Sequence, residues 1–117
     1  MVTLETDKGL IRIAGDVFTY LAGNAATTCF GVKGMTVRSM TDGLVHLLKR
    51  ESMGKGVHIT YNDNGSISIE LDIAVDQGVN IPVLCKSIIE EVRYKVSTAT
   101  GVEIKSVDVF VDSMIIG

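Results

Sequence analysis

The sequence predicts an α+β fold, arranged as a two-layer sandwich with one mixed β-sheet and two to three helices on one face. Residues 57–76 alternate apolar and polar side chains, as strands of a half-buried sheet do. Residues 14–29 and 81–99 instead place apolar side chains at helical spacing. The length of 117 residues fits a single domain that spans residues 1–117, and the 46% hydrophobic content can supply its core.

The N-terminal quarter predicts a β-hairpin followed by a helix. Residues 2–13 alternate around a polar turn at residues 6–9, and residues 14–29 then form an amphipathic pattern that ends near Gly31. Gly23 lies in the middle of this helix, where glycine costs about 1 kcal/mol relative to alanine. We therefore expect another backbone to approach the helix closely at Gly23.

The middle of the chain is punctuated by glycines. Residues 31–35 indicate a loop or a short strand. Residues 40–51 carry Leu44, Val45, Leu47 and Leu48 at spacings that suggest a short helix, with Thr41 or Asp42 as its N-cap. Residues 52–56 are expected to be a linker.

The second half predicts a hairpin, a long helix and a final strand. Asn64-Gly65 favours a type I′ turn between the two strands of residues 57–76. Asn80 is a suitable N-cap and Gly101 a suitable C-cap for the longest helix. The last strand, residues 103–112, should bulge near residues 105–106 and should run parallel to residues 67–75, because a helix connects the two.

Bulk composition excludes several functions. The net charge is −3, and the pair Lys49-Arg50 is followed by Glu51, so the basic patch that nucleic-acid binding requires is missing. The N-terminus has no signal-peptide pattern, and no apolar run approaches the ~20 residues of a membrane span. We expect a cytoplasmic chain.

Cys29 and Cys85 fit apolar helix faces and are interpreted as core thiols.

The sequence contains no recognisable catalytic constellation. It has two histidines, His46 and His58, and no G-x-S-x-G motif. Each histidine is better explained as a surface or half-buried side chain than as a base. We therefore predict no enzymatic activity, no catalytic or metal-binding residues and no cofactor.

One face of the predicted sheet nevertheless collects acidic side chains around an aromatic ring. If residues 67–75 and 104–111 are neighbouring strands, this face holds a candidate protein-binding surface. Its residues are Glu70, Asp72, Asp108, Phe110 and Asp112. Glu70, Asp72 and Asp108 could instead bind Mg²⁺ or Ca²⁺, although a solvated acidic face explains them more simply.

Several segments together resemble the alkaline shock protein (envelope stress response) family of Gram-positive bacteria. The resemblance covers nearly the whole chain and rests on the order and spacing of motifs that are individually only turns and core. These are residues 9–14, 21–26, 31–35, 56–59, 69–75, 78–82, 100–102 and 107–111.

The resemblance implies a non-enzymatic protein of envelope or alkaline stress that acts through protein–protein binding and self-association. It implies a protein partner, such as a membrane-anchoring protein or a fatty-acid-kinase-type enzyme, and a peripheral position at the membrane held by that partner. A homo-oligomer is expected. The alternative is a small-ligand- or divalent-metal-binding regulatory module linked to lipid or envelope metabolism.

Overall fold

A computed structural model describes residues 1–39 and 43–116 and confirms the α+β class. Besides the two α-helices, the described residues form a short 3₁₀ helix at Arg50–Gly56 and seven strands. The elements are β1 (Val2–Thr6), β2 (Gly9–Ile13), α1 (Gly15–Thr27), β3 (Val32–Arg38), β4 (Val45–Leu47), β5 (Val57–Tyr61), β6 (Ile67–Asp76), α2 (Ile81–Thr100) and β7 (Ile104–Ile115).

Strand β6 is the centre of a five-stranded mixed sheet. Strand β7 pairs with it in parallel along its whole length, as the connecting helix predicted. Strands β5 and β3 pair antiparallel with β6 over residues 67–71 and 73–75, so they lie end to end along its other edge. Strand β4 extends the sheet beyond β3. Strands β1 and β2 form a separate two-stranded hairpin.

The core lies between this sheet and the two helices. Ile67, Ile69, Leu71, Ile73 and Val75 of β6 are each at most 1% exposed, as their alternation predicted. Helix α1 contributes Phe18, Ala22, Ala25 and Ala26, and helix α2 contributes Leu84, Ile88, Val92 and Val96. Burying a large aliphatic side chain contributes about 1.5–3 kcal/mol, so this layer of residues holds the helices against one face of the sheet.

Both predicted caps of α2 are confirmed. The Asn80 side chain accepts a hydrogen bond from the Val83 backbone N–H at 3.2 Å. Gly101 ends the helix with a φ of 72°, in the left-handed region that glycine tolerates, and its N–H bonds the Ser97 carbonyl. The chain therefore leaves α2 at a defined point and direction, and this sets the start of β7.

Strand β7 contains two bulges. The first leaves Lys105 without a partner on β6, since Ile104 pairs with Ile67 and Ser106 with Ser68, and it confirms the predicted irregularity. The second leaves out Asp112 and was not predicted. A bulge adds one residue to a strand and redirects the side chains around it.

The predicted helix at residues 40–51 is wrong. Residues 45–47 form β4, which pairs with Thr36, Val37 and Arg38 of β3, and the 3₁₀ helix replaces the expected linker. Pairing with a neighbouring strand outweighs a helical spacing of only four apolar residues. The proposed N-caps Thr41 and Asp42 lie outside the described residues.

Two local predictions also fail. At Gly23 the neighbours are side chains and not a backbone: a Cβ there would lie 3.3 Å from Met53 Cγ and 3.6 Å from a Val57 methyl. The turn after β5 is not type I′, because Gly65 has a positive φ but Asn64 does not. Asn64 Oδ1 instead accepts from the Ser66 backbone N–H, which closes the turn from its side chain.

Candidate functional site

The sheet face opposite the helices, here called the open face, gathers the predicted site residues. The register places His58 of β5 beside Glu70 of β6, and Glu70 beside Asp108 of β7. Two residues further along β6, Asp72 lies beside Phe110. Neighbouring positions on adjacent strands place their Cβ atoms about 4.5–5.5 Å apart. Four of the five predicted residues are therefore brought together by strand pairing alone.

Asp72 has a close partner on β5. Its Oδ2 lies 3.0 Å from His58 Nε2, across the diagonal between the two strands. The His58 side chain is about half exposed, whereas that of Asp72 is mostly covered. The interpretation of His58 as a surface histidine is correct for its exposure but missed this contact. Counting outward from the predicted two-residue Asn64-Gly65 turn would have paired His58 with Leu71. The hairpin instead closes between Asn62 and Ser66, which places His58 beside Glu70.

Asp112 reaches the open face by a different route. It is the extra residue of the second β7 bulge, and its Oδ2 accepts a 2.9 Å hydrogen bond from Thr36 Oγ1 of β3. Thr36 is only 1% exposed, so the hydroxyl is satisfied by this carboxylate in a buried position. Asp112 was predicted from the sequence but Thr36 was not, because residues 31–35 were predicted only as a loop or short strand.

Two large apolar side chains stand on or beside these carboxylates. Phe110 is 47% exposed and Leu47 is 46% exposed. Leu47 pairs with Thr36, and its Cδ1 lies over Gly34, where an added Cβ would come within 3.0 Å of it. Leu47 was missed because its segment was predicted as a helix. The open face is thus acidic and carries exposed apolar groups.

A second feature is a groove of about 600 Å³ at one end of α2. Its walls include Phe30, Val79, Val83, Leu84 and Glu91. The Phe30 side chain is fully exposed and Val83 is 61% exposed. Two exposed apolar side chains therefore line the same groove.

Cys29 also lines this groove, in surroundings that raise the pKa of its thiol. Burial raises the pKa of Cys29, Glu91 raises it further, and Lys95 opposes them. Burial likewise raises the pKa of Cys85. Both cysteines are free and half-buried, which leaves them more accessible than the expected core thiols. Because the thiolate is the reactive form, neither thiol is primed as a nucleophile.

No described helix is both long enough and apolar enough to cross a membrane. The molecule is a small α+β protein with two helices on one side of a mixed sheet and an acidic, partly apolar face on the other.

The chain belongs to the alkaline shock protein 23 family, which is described as having a cell envelope-related function, and the family model matches residues 3–116. This confirms the resemblance seen in the sequence. The chain is 30% identical to the uncharacterized protein YloU of Bacillus subtilis (strain 168) over 114 residues, covering 97% of this chain and 94% of that protein.

A second relative is the uncharacterized protein Spy1614 of Streptococcus pyogenes serotype M6, at 33% identity over 97% of this chain and 93% of that protein. A third, YqhY of Bacillus subtilis (strain 168), is 31% identical over 92% of this chain and 78% of that protein. No solved structure matches the chain significantly.

Proposed function

We propose that this chain is a non-enzymatic, cytoplasmic adaptor of the cell envelope stress response that binds a partner protein along β7 and the open face. The observation that carries the proposal is the position of β7. Among the described residues, this twelve-residue strand pairs with β6 alone, so its second edge offers backbone N–H and C=O groups to another strand. Phe110 stands half exposed in the middle of the same strand.

The chemistry of the face favours one kind of binding segment. Glu70, Asp72, Asp108 and Asp112 give the face negative charge, and Phe110 gives it an apolar contact. An extended peptide that adds a strand to β7 would gain backbone hydrogen bonds from the edge and specificity from side-chain pockets. The best fit is a segment that alternates basic and apolar residues.

This description suits the cytoplasmic end of a membrane protein. Cytoplasmic loops close to membrane spans carry an excess of lysine and arginine, which an acidic face attracts. Such a partner would hold this chain at the membrane without a span of its own. A soluble partner, such as a fatty-acid-kinase-type enzyme, would fit the same face only through a basic surface strand.

The test is a cross-linking and co-purification experiment with the tagged protein in its native bacterium. We expect a membrane protein to co-purify with the wild type, and Phe110→Asp to lose it. Tyr94→Asp is the matched control, because Tyr94 is an aromatic residue on α2 that is 65% exposed. Both variants should keep their stability within about 1 kcal/mol, as surface changes usually do. Recovery of the same partner with Phe110→Asp would refute the proposed face.

Self-association is the second part of this proposal, and it fits the groove at the end of α2 better than the open face. Two acidic faces repel each other, whereas the groove exposes Phe30 and Val83. A second copy of the chain that inserts its own Phe30 into the groove would cover the exposed Phe30 and Val83 of the first copy. We expect Phe30→Asp to shift the protein to monomer in sedimentation velocity and Phe110→Asp to leave the distribution unchanged. A distribution unaffected by Phe30→Asp would exclude this surface.

A further inference from the structure

Three side chains on the open face carry metal-binding donor atoms at close range. His58 lies on β5, and Glu70 and Asp72 lie on β6. One donor atom from each, an imidazole nitrogen or a carboxylate oxygen, lies within 4.8 Å of the other two. The three residues come from adjacent, hydrogen-bonded strands, so their Cα positions are fixed by the sheet and not by a loop.

The geometry points to a site for a zinc-class divalent ion held by His58, Glu70 and Asp72, and we propose it as a property beyond protein binding. Ligands at about 2.0–2.2 Å from a tetrahedral zinc ion lie roughly 3.3–3.6 Å from one another. The separation of His58 Nε2 and Asp72 Oδ2 is 3.0 Å, close to the distance between two ligands of such an ion. Rotation of the longer Glu70 side chain would bring the third donor into range.

The charges around the cluster favour a cation. Glu70 is flanked on its other side by Asp108, so a third carboxylate lies next to the two of the cluster. Like charges on neighbouring strand positions destabilise a sheet. Among the residues that the structure describes, no lysine or arginine forms an ion pair with these carboxylates. A dication at the cluster would offset this repulsion.

The imidazole decides the class of ion. Mg²⁺ and Ca²⁺ prefer oxygen ligands alone, whereas a nitrogen donor beside carboxylates suits Zn²⁺ and related transition metals. The presence of His58 therefore changes the simpler picture of an acidic face, which Glu70, Asp72 and Asp108 would form without it. The site is open, because His58 is about half exposed, and it leaves coordination positions for water or for a group from another molecule.

The chain provides a matched pair of histidines for the test. His46 is exposed on β4, outside the cluster, so His46→Ala controls for the loss of any imidazole. Asp63, exposed in the hairpin turn, provides the corresponding control for charge: Asp63→Asn against Asp72→Asn. All four variants change exposed or half-buried side chains, and each is first checked for an unchanged circular dichroism spectrum.

Zn²⁺ is titrated by calorimetry into chelator-treated protein. We expect one zinc ion per chain, with binding weakened about tenfold or more by His58→Ala and by Asp72→Asn, and unchanged by His46→Ala and Asp63→Asn. A parallel Mg²⁺ titration should give weaker binding that His58→Ala does not alter. Absence of zinc binding by the wild type, or equal binding by His58→Ala, would overturn the site. Since no partner protein is present, the result is independent of the adaptor proposal.

Discussion

Thr36 Oγ1 donates a 2.9 Å hydrogen bond to Asp112 Oδ2 and so joins β3 to the bulge of β7, with β6 between them. The two residues are 76 positions apart in sequence. The bond fixes the point where the unpaired residue of β7 turns onto the open face. The bond also satisfies the hydroxyl of Thr36, a residue that is 1% exposed. Loss of the bond would therefore destabilise both β3 and β7.

Replacement of this hydroxyl by a methyl tests its contribution. We expect Thr36→Val to lower the free energy of unfolding by about 1–3 kcal/mol, because a hydrogen bond to a charged group is lost with little change of shape. Urea denaturation measures the change. Thr60→Val is the control, since Thr60 is exposed on β5. An equal effect of both variants would mean that the Thr36 bond contributes nothing specific.

Gly56 provides a second test, this time of packing. A Cβ at this position would lie 2.9 Å from the Thr36 carbonyl oxygen and 3.0 Å from Met35 Cβ, so backbone would have to move. We expect Gly56→Ala to destabilise by about 1–3 kcal/mol, as overpacking of a tight site does. Gly9→Ala should be nearly neutral, because no neighbour lies within 4 Å of the added methyl. The thermal unfolding midpoints of Gly56→Ala and Gly9→Ala, each compared with that of the wild type, test this difference.

The N-cap of α2 gives a prediction about helix stability. Asn80→Ala removes the acceptor for the Val83 N–H and should cost about 1 kcal/mol. Asn80→Asp keeps an acceptor and adds a negative charge at the positive end of the helix dipole, so its stability should equal or exceed that of the wild type. In chemical denaturation, Asn80→Ala should therefore be less stable than the wild type and Asn80→Asp at least as stable. Equal losses would argue against a capping role.

The Cys29 thiol provides a prediction that depends on pH. Burial and then Glu91 raise the pKa of this thiol, so its thiolate fraction near pH 8 is lower than that of a free cysteine. In a Cys85→Ser background, we expect iodoacetamide to alkylate Cys29 slowly, with a rate that keeps rising above pH 9.

The Glu91→Gln variant, which removes the charge, should lower the pKa of Cys29 and speed its alkylation by iodoacetamide at pH 8. The expected gain is about two-fold, the scale of a solvent-screened interaction of ~0.5 kcal/mol. The loss of the Glu91–Lys95 ion pair acts in the same direction, because it leaves the Lys95 charge free to favour the thiolate. Glu90→Gln, one residue away and exposed, should leave the rate unchanged.

The elements that sequence analysis predicted correctly have long, unambiguous patterns. Strand β6 alternates over ten residues, and α2 has a cap at each end. The parallel pairing of β6 with β7 followed from the helix between them. These features depend on local periodicity and on chain connection, which a sequence displays directly.

The failures have a common physical cause in contacts between distant segments. Residues 44–48 fit a short helix as well as a strand, and the pairing of β4 with β3 made the choice. The neighbours of Gly23 were predicted as backbone, but Met53 and Val57 fill that space because the 3₁₀ helix and β5 pass over α1. The site shows the same limit: Phe110 was found from its strand pattern, whereas Thr36 and His58 join it only through register.

The separation of the N-terminal hairpin from the main sheet gives the chain two levels of cooperativity. Strands β1 and β2 share no ladder with the five-stranded sheet in the described residues, and a two-stranded hairpin is marginally stable alone. Its anchors are Val2, Leu4 and Ile13, while Leu10 and Ile11 face solvent. We therefore expect the hairpin amides to exchange hydrogen through local opening of low free energy. The amides of β6, which has paired strands on both edges, should exchange only when the whole domain unfolds.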